Sequence, residues 1–210
     1  MLRFLMFLTL SLSLTLYTNA QRFNGGLIGG LTASQVDGDS YAGFDKLGLQ
    51  GGVYVFTRFS ELWGLQMEIK YTGRGARKKT SVDDPSIYKL SLNYIDIPLI
   101  VWLNYNEKIK FEGGFLTGYL FHISGEDSNG KIPTEYINEF KKFDYCWLLG
   151  LRYNINKKFS VGIRYSYSLF SISKAKNNDG KYGIIANIFN YTTGDYNNYL
   201  TLQLFYNILK

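Results

Sequence analysis

Trp63-Gly64-Leu65-Gln66-Met67-Glu68-Ile69-Lys70-Tyr71-Thr72 alternates without a break. Its odd positions are Trp, Leu, Met, Ile and Tyr, and its even positions are Gly, Gln, Glu, Lys and Thr. A period of two puts one oily and one polar face on an extended strand, which a helix would not do. The pattern recurs twice more. Phe159, Val161, Ile163, Tyr165, Tyr167 and Leu169 alternate with Ser160, Gly162, Arg164, Ser166 and Ser168. Leu200, Leu202, Leu204, Tyr206 and Ile208 alternate with Tyr199, Thr201, Gln203, Phe205 and Asn207.

Outward from these three, the chain reads as eight strands, at about 23–34, 46–58, 63–74, 90–103, 109–122, 143–155, 159–172 and 198–209. Most exceed the ~5–6 residues usual in globular sheets and match the ~9–11 that cross a bilayer at a tilt. The connections 59–62, 105–108 and 156–158 are tight, and the last two carry Asn-Glu-Lys and Asn-Lys-Lys. Asn at such positions suits a turn. The other four, near 35–45, 75–89, 123–142 and 173–197, are long and polar. Short turns at one end and long loops at the other imply an all-β, eight-stranded antiparallel up-and-down transmembrane β-barrel. Its termini fall on the short-turn, periplasmic side, with no room for a periplasmic domain or plug.

Composition agrees. The 210 residues include 18 Tyr, 15 Phe and 22 Gly but only 3 Pro, which favours strands and close backbone packing. The net charge of +6 is scattered over turns and loops, without the basic stripe that nucleic-acid binding requires. It suits outer-membrane lipid headgroups and lipopolysaccharide. The single cysteine, Cys146, rules out an intramolecular disulfide. Residues 1–20 read as a signal peptide: Arg3, an apolar run from Phe4 to Leu16, and Thr18-Asn19-Ala20 before the cut. That run is too short to span a bilayer as a helix. Residues 21–210 form the barrel domain, and no later apolar run is long enough for a spanning helix.

Alternation alone does not say which face points inward, since a soluble lipocalin-like barrel also has eight strands. Aromatics near both ends of the apolar faces favour a membrane, as the girdles that mark its two interfaces: Trp63 and Tyr71, Phe143 and Tyr153, Phe159 and Tyr167. The opposite face carries Glu68, Lys70, Lys110, Glu112, Asp144, Arg152 and Arg164, whereas a soluble barrel holding an apolar ligand needs an oily interior.

Four segments resemble the PorT-like outer-membrane β-barrel family of Bacteroidota. Gly29-Gly30-Leu31-Thr32-Ala33-Ser34 is similar to its Gly-rich first strand. Leu65-Gln66-Met67-Glu68-Ile69-Lys70-Tyr71, before Gly73 and Gly75, resembles its "Leu-Gln-Pro-Glu-Leu" strand, with Met67 in place of Pro. Tyr94-Ile95-Asp96-Ile97-Pro98-Leu99-Ile100 resembles its "Tyr-Leu-x-Ile-Pro-Leu" strand, the most specific of the four. Gly113 to Leu120 resembles its "Gly-Pro-Tyr-x-Gly-Tyr-Leu" stretch, again without the Pro. The resemblance covers nearly the whole mature chain. It implies an outer-membrane location and, through the family's namesake, a link to type IX secretion. It brings no catalytic residues and no cofactor.

Three groups remain as candidate sites. Glu112, Arg152 and Arg164 share the inward parity of successive strands, and Glu68 and Asp96 extend the set; together they are expected to form an ion-pair network that fills and seals a narrow lumen. The competing reading is a selective pore for small solutes or ions. His122 lies near Ser124 and Asp127, which raises a surface hydrolase or acyltransferase as an alternative. His122 and Cys146 lie on separate strands without metal-ligand spacing, and Cys146 reads as a small packing residue. Pro98, inside a strand, is expected to force a bulge. The long loops, notably 76–89 and 173–197, are the candidate surfaces for a protein or glycan partner. The reading is therefore a non-enzymatic outer-membrane barrel without cofactor or metal, in a secretion-accessory, envelope or surface-binding role.

Overall fold

The computed structural model describes residues 23–39, 43–78, 80, 85–128, 130–131, 139–174 and 194–208. The expected signal peptide and most of the 173–197 loop lie outside them. Nine strands follow in order: β1 Asn24–Asp37, β2 Lys46–Arg58, β3 Trp63–Arg77, β4 Tyr88–Asn104, β5 Ile109–Asp127, β6 Gly130–Lys131, β7 Phe143–Asn154, β8 Phe159–Ser168 and β9 Tyr196–Asn207. Every pairing is antiparallel, β1 pairs with β9, and β4 pairs with β5 to close the ring. The two-residue β6 only turns back on the end of β5, so the barrel has eight strands, as the alternation implies.

Two of the three tight turns hold in the same way, and at the third Ser60 Oγ accepts from the amides of Leu62 and Trp63. Asn106 Oδ1 accepts from the amides of Lys108 and Ile109, and Asn156 Oδ1 from those of Lys158 and Phe159. Asn caps the turn because its side chain satisfies two amides that have no ladder partner. At the opposite end, β3, β4 and β5 run beyond the expected limits, to Arg77, Tyr88 and Asp127.

The expected bulge at Pro98 does not form. Its register with β5 is regular, and the β3–β4 register is the same on both sides of a two-pair gap opposite Pro98 and Ile97. The missing N–H therefore deletes ladder contacts without shifting the chain. The register shift falls at Asn93/Tyr94 instead, leaving Phe121 of β5 unpaired.

The outward face is a continuous apolar belt. Leu49, Leu31, Leu202, Ile163, Leu151 and Phe111 are successive cross-strand neighbours across six strands, and all are exposed. Water would not tolerate an apolar surface of this extent, but a bilayer would. The inward face buries Gln, Thr, Ser and charged side chains.

Candidate functional site: the lumen and its two mouths

Eight strands enclose a space just wide enough for side chains to fill. β3 and β8 are four strands apart in either direction round the ring, so they face each other across the full lumen. Arg164 of β8 spans that gap. Its Nη1 meets Glu68 Oε1 of β3 at 2.8 Å, and its Nε meets Glu112 Oε2 of β5 at 2.5 Å. Arg152 Nη2 meets the other oxygen of Glu112 at 2.5 Å, and Lys70 Nζ meets Glu68 at 3.2 Å. Gly150 of β7 lies opposite Arg164 in register. A Cβ there would stand 2.6 Å from Arg164 Cγ, so the arginine uses space that only glycine leaves.

Asp96 is not part of this group. It pairs with Arg74 of β3, which also meets Asp144 Oδ2 of β7 at 2.9 Å. The Arg74 guanidinium lies between the rings of Tyr94 and Tyr199, 4.4 and 4.2 Å from their centroids. Asp144 also accepts from Ser168 Oγ at 2.8 Å and Asn197 Nδ2 at 2.9 Å. Asn197 of β9 donates as well to Tyr94 Oη of β4 at 3.1 Å. Those two strands are again four apart either way, so the lumen is bridged wall to wall at a second level. Above it, Val36, Ala76, Leu90, Leu92, Leu120, Phe140 and Ile172 form an apolar cluster at the long-loop mouth.

The structure thus brings together Glu68, Glu112, Arg152 and Arg164, and places Asp96 in a separate cluster. Sequence reasoning missed Arg74. It stands at the expected end of its strand, and the strand continues past it through Gly75, whose φ of 137° needs glycine. The even parity of Arg74, shared with Lys70 and Thr72, was the available signal.

Of the six aromatics, Trp63, Phe159 and Tyr153 stand exposed at the short-turn end, and Tyr71 and Phe143 stand exposed toward the other. Tyr167 is half-buried and stacks on Tyr196. His122 is exposed and pairs with Asn93 on the outward face. Asp127 is five residues further along the same strand, opposite Tyr88. The strand rise of about 3.3 Å per residue separates the two by far more than a hydrogen bond, so no triad is assembled. Cys146 is fully buried, with Sγ donating to Asp144 Oδ2 at 3.2 Å. Among the described residues, no group of His, Cys, Asp and Glu is placed to hold a metal.

The sequence profile of the outer membrane protein beta-barrel domain family matches residues 18–174. The chain belongs to this family. It is an outer-membrane protein, and the apolar belt is its lipid-facing surface. Among solved structures it is similar to Ail, the attachment invasion locus protein of Yersinia pestis, crystallised with the heparin analogue sucrose octasulfate. That match has 16% identity, a TM-score of 0.50, and coverage of 89% of this chain and 99% of Ail. Neisserial surface protein A is similar at 12% identity and a TM-score of 0.47, with coverage of 88% and 96%. No curated protein matches the sequence significantly.

Proposed function

We propose that this family member is a sealed, non-enzymatic surface barrel that acts through its outer loops, in a PorT-like, secretion-accessory or surface-binding role. Residues 1–20 are its removable signal peptide. The ion pairs of Glu68, Glu112, Arg152 and Arg164, with Arg74 holding Asp96 above them, seal the lumen. The six aromatics are its interfacial girdles. One observation carries this reading: side chains from opposite walls meet across the lumen at two levels. A barrel blocked in this way offers its loops, not a pathway, to other molecules. At the long-loop end Arg77 stands opposite Lys89, which has Glu126 on its other side, so one cation of the three residues is left for an anionic lipopolysaccharide headgroup or an acidic partner. The narrow channel and the His122 enzyme have less support, because the lumen is bridged and Asp127, the candidate acid, is out of reach of His122.

The test is deletion of residues 175–193 followed by affinity capture from outer-membrane extracts. The variant should still migrate faster unboiled than boiled, as closed barrels do, and should lose a partner that the full chain retains. Unchanged capture would sink the loop reading.

A further inference from the structure

The short-turn mouth differs from the sealed centre. It opens into a cavity of about 580 Å³ lined from β2, β3, β4, β5, β7, β8 and β9. Arg58, Lys108, Lys110, Arg152 and Lys157 line it, with Glu107 the one carboxylate among the lining residues. Phe56 and Trp102 form an aromatic wall.

Lys110 is the telling residue. It is buried, at 8% exposure, and lines the cavity. Its ammonium lies 4.4 Å from the Trp102 ring centroid and 5.8 Å from that of Phe56. It makes no hydrogen bond or ion pair with any described residue. Arg152, its cross-strand neighbour, forms an ion pair with Glu112 through Nη2, while neither its buried Nε nor its Nη2 makes a hydrogen bond with a described residue. The buried charges of the lumen do not quite balance: Lys70, Arg74, Lys110, Arg152 and Arg164 are five cations against the four carboxylates of Glu68, Asp96, Glu112 and Asp144. A buried charge without a counter-ion is strongly unfavourable, and here Lys110, the cation that pairs with none of these carboxylates, borders a space open to the periplasm.

We propose that this mouth is a binding site for a small multivalent anion, a phosphate-bearing solute taken from the periplasm. Lys110 supplies a desolvated point charge at the floor, Arg152 a guanidinium fork, and Arg58, Lys108 and Lys157 a cationic rim. The volume lies within the range of small-molecule sites. Gly64 shapes the wall, since a Cβ there would stand 2.1 Å from a Trp102 ring carbon. The site is at the opposite end from the loops and stands independently of any partner they bind.

The experiment is calorimetric titration of inorganic tripolyphosphate into the mature barrel in zwitterionic lipid nanodiscs at physiological salt. Saturable one-to-one binding is expected. Lys110→Met keeps the stem and removes the charge, and should weaken binding about tenfold or more, the scale of one charge-assisted contact. Arg58→Gln, at an exposed position, should weaken it severalfold and covers the case in which Lys110→Met fails to give a heat-shifting barrel. Lys142→Gln removes one charge at the far end and should leave binding unchanged. No saturable binding, full binding by both mouth variants, or equal weakening by Lys142→Gln would each overturn the site.

Discussion

At the residue scale the lumen's charges are interdependent, and Glu112 is the joint between them. One of its oxygens serves Arg152 and the other Arg164. In Glu112→Leu, Arg164 keeps Glu68 but Arg152 loses its one ion pair among the described residues. A buried cation stranded in this way costs about 3–5 kcal/mol, so urea unfolding in phospholipid vesicles should show a loss of that order; a loss below about 1 kcal/mol would mean that the barrel repacks freely. Gly150→Ala tests the same layer sterically. The added methyl meets Arg164 Cγ, and Arg164 is held against swinging aside by the bonds of its Nε to Glu112 and its Nη1 to Glu68. A loss of about 1–3 kcal/mol is expected, measured by the same unfolding midpoint, and an unchanged midpoint would show that Arg164 is free to move. The inward parity of Glu68, Glu112, Arg152 and Arg164 was legible because parity needs only the alternation. That Asp96 would take Arg74 rather than Arg164 was not legible, because axial stagger between strands depends on register, which no single strand encodes.

At the element scale the period of two carried almost everything. It placed eight strands and both faces, and β2 begins and ends where the alternation says it should. The outer ends were less readable. Gly75, at positive φ, carries β3 onward to Arg77 instead of ending it. Phe121 reverses the facing of β5 with no Gly or Pro to mark it, so Ile123 packs inward while His122 points out. Pro98, which does carry a mark, leaves the register alone. The lipid-facing assignment gives a sharp expectation at the middle of β9. Leu202 lies between Leu31 and Ile163 in the exposed belt. Leu202→Arg should cost about 2–4 kcal/mol, the depth-dependent penalty for a cation at the bilayer midplane. Leu202→Ala should cost much less, since lipid refills the space. Refolding yield into vesicles of increasing thickness reads both. Equal effects of the two variants would mean that this face is not in lipid.

At the scale of the whole molecule the question is whether the ring of strands is a conduit. Three obstacles lie in series along the axis: the Glu68–Arg164–Glu112 bridge, the Arg74 cluster with its Asn197–Tyr94 contact, and the apolar cluster that includes Phe140 and Ile172 from the long-loop end. An ion entering the cationic mouth would have to displace Arg164, then a guanidinium held between two tyrosines, then cross a layer lined mainly by apolar side chains, which are poor replacements for its hydration shell. Each step alone is a large barrier in so narrow a space. The mature protein in planar bilayers should therefore show no resolvable single-channel steps. Arg164→Ala should also stay closed, because it removes one obstacle of three. A double variant, Arg164→Ala with Arg74→Ala, removes both guanidiniums and leaves the Asn197–Tyr94 contact and the apolar cluster, so rare brief openings would appear there first. Stable conductance by the unmodified protein would overturn this ordering, and the charged mouth would then be the entrance of a selective pore rather than a closed anion site.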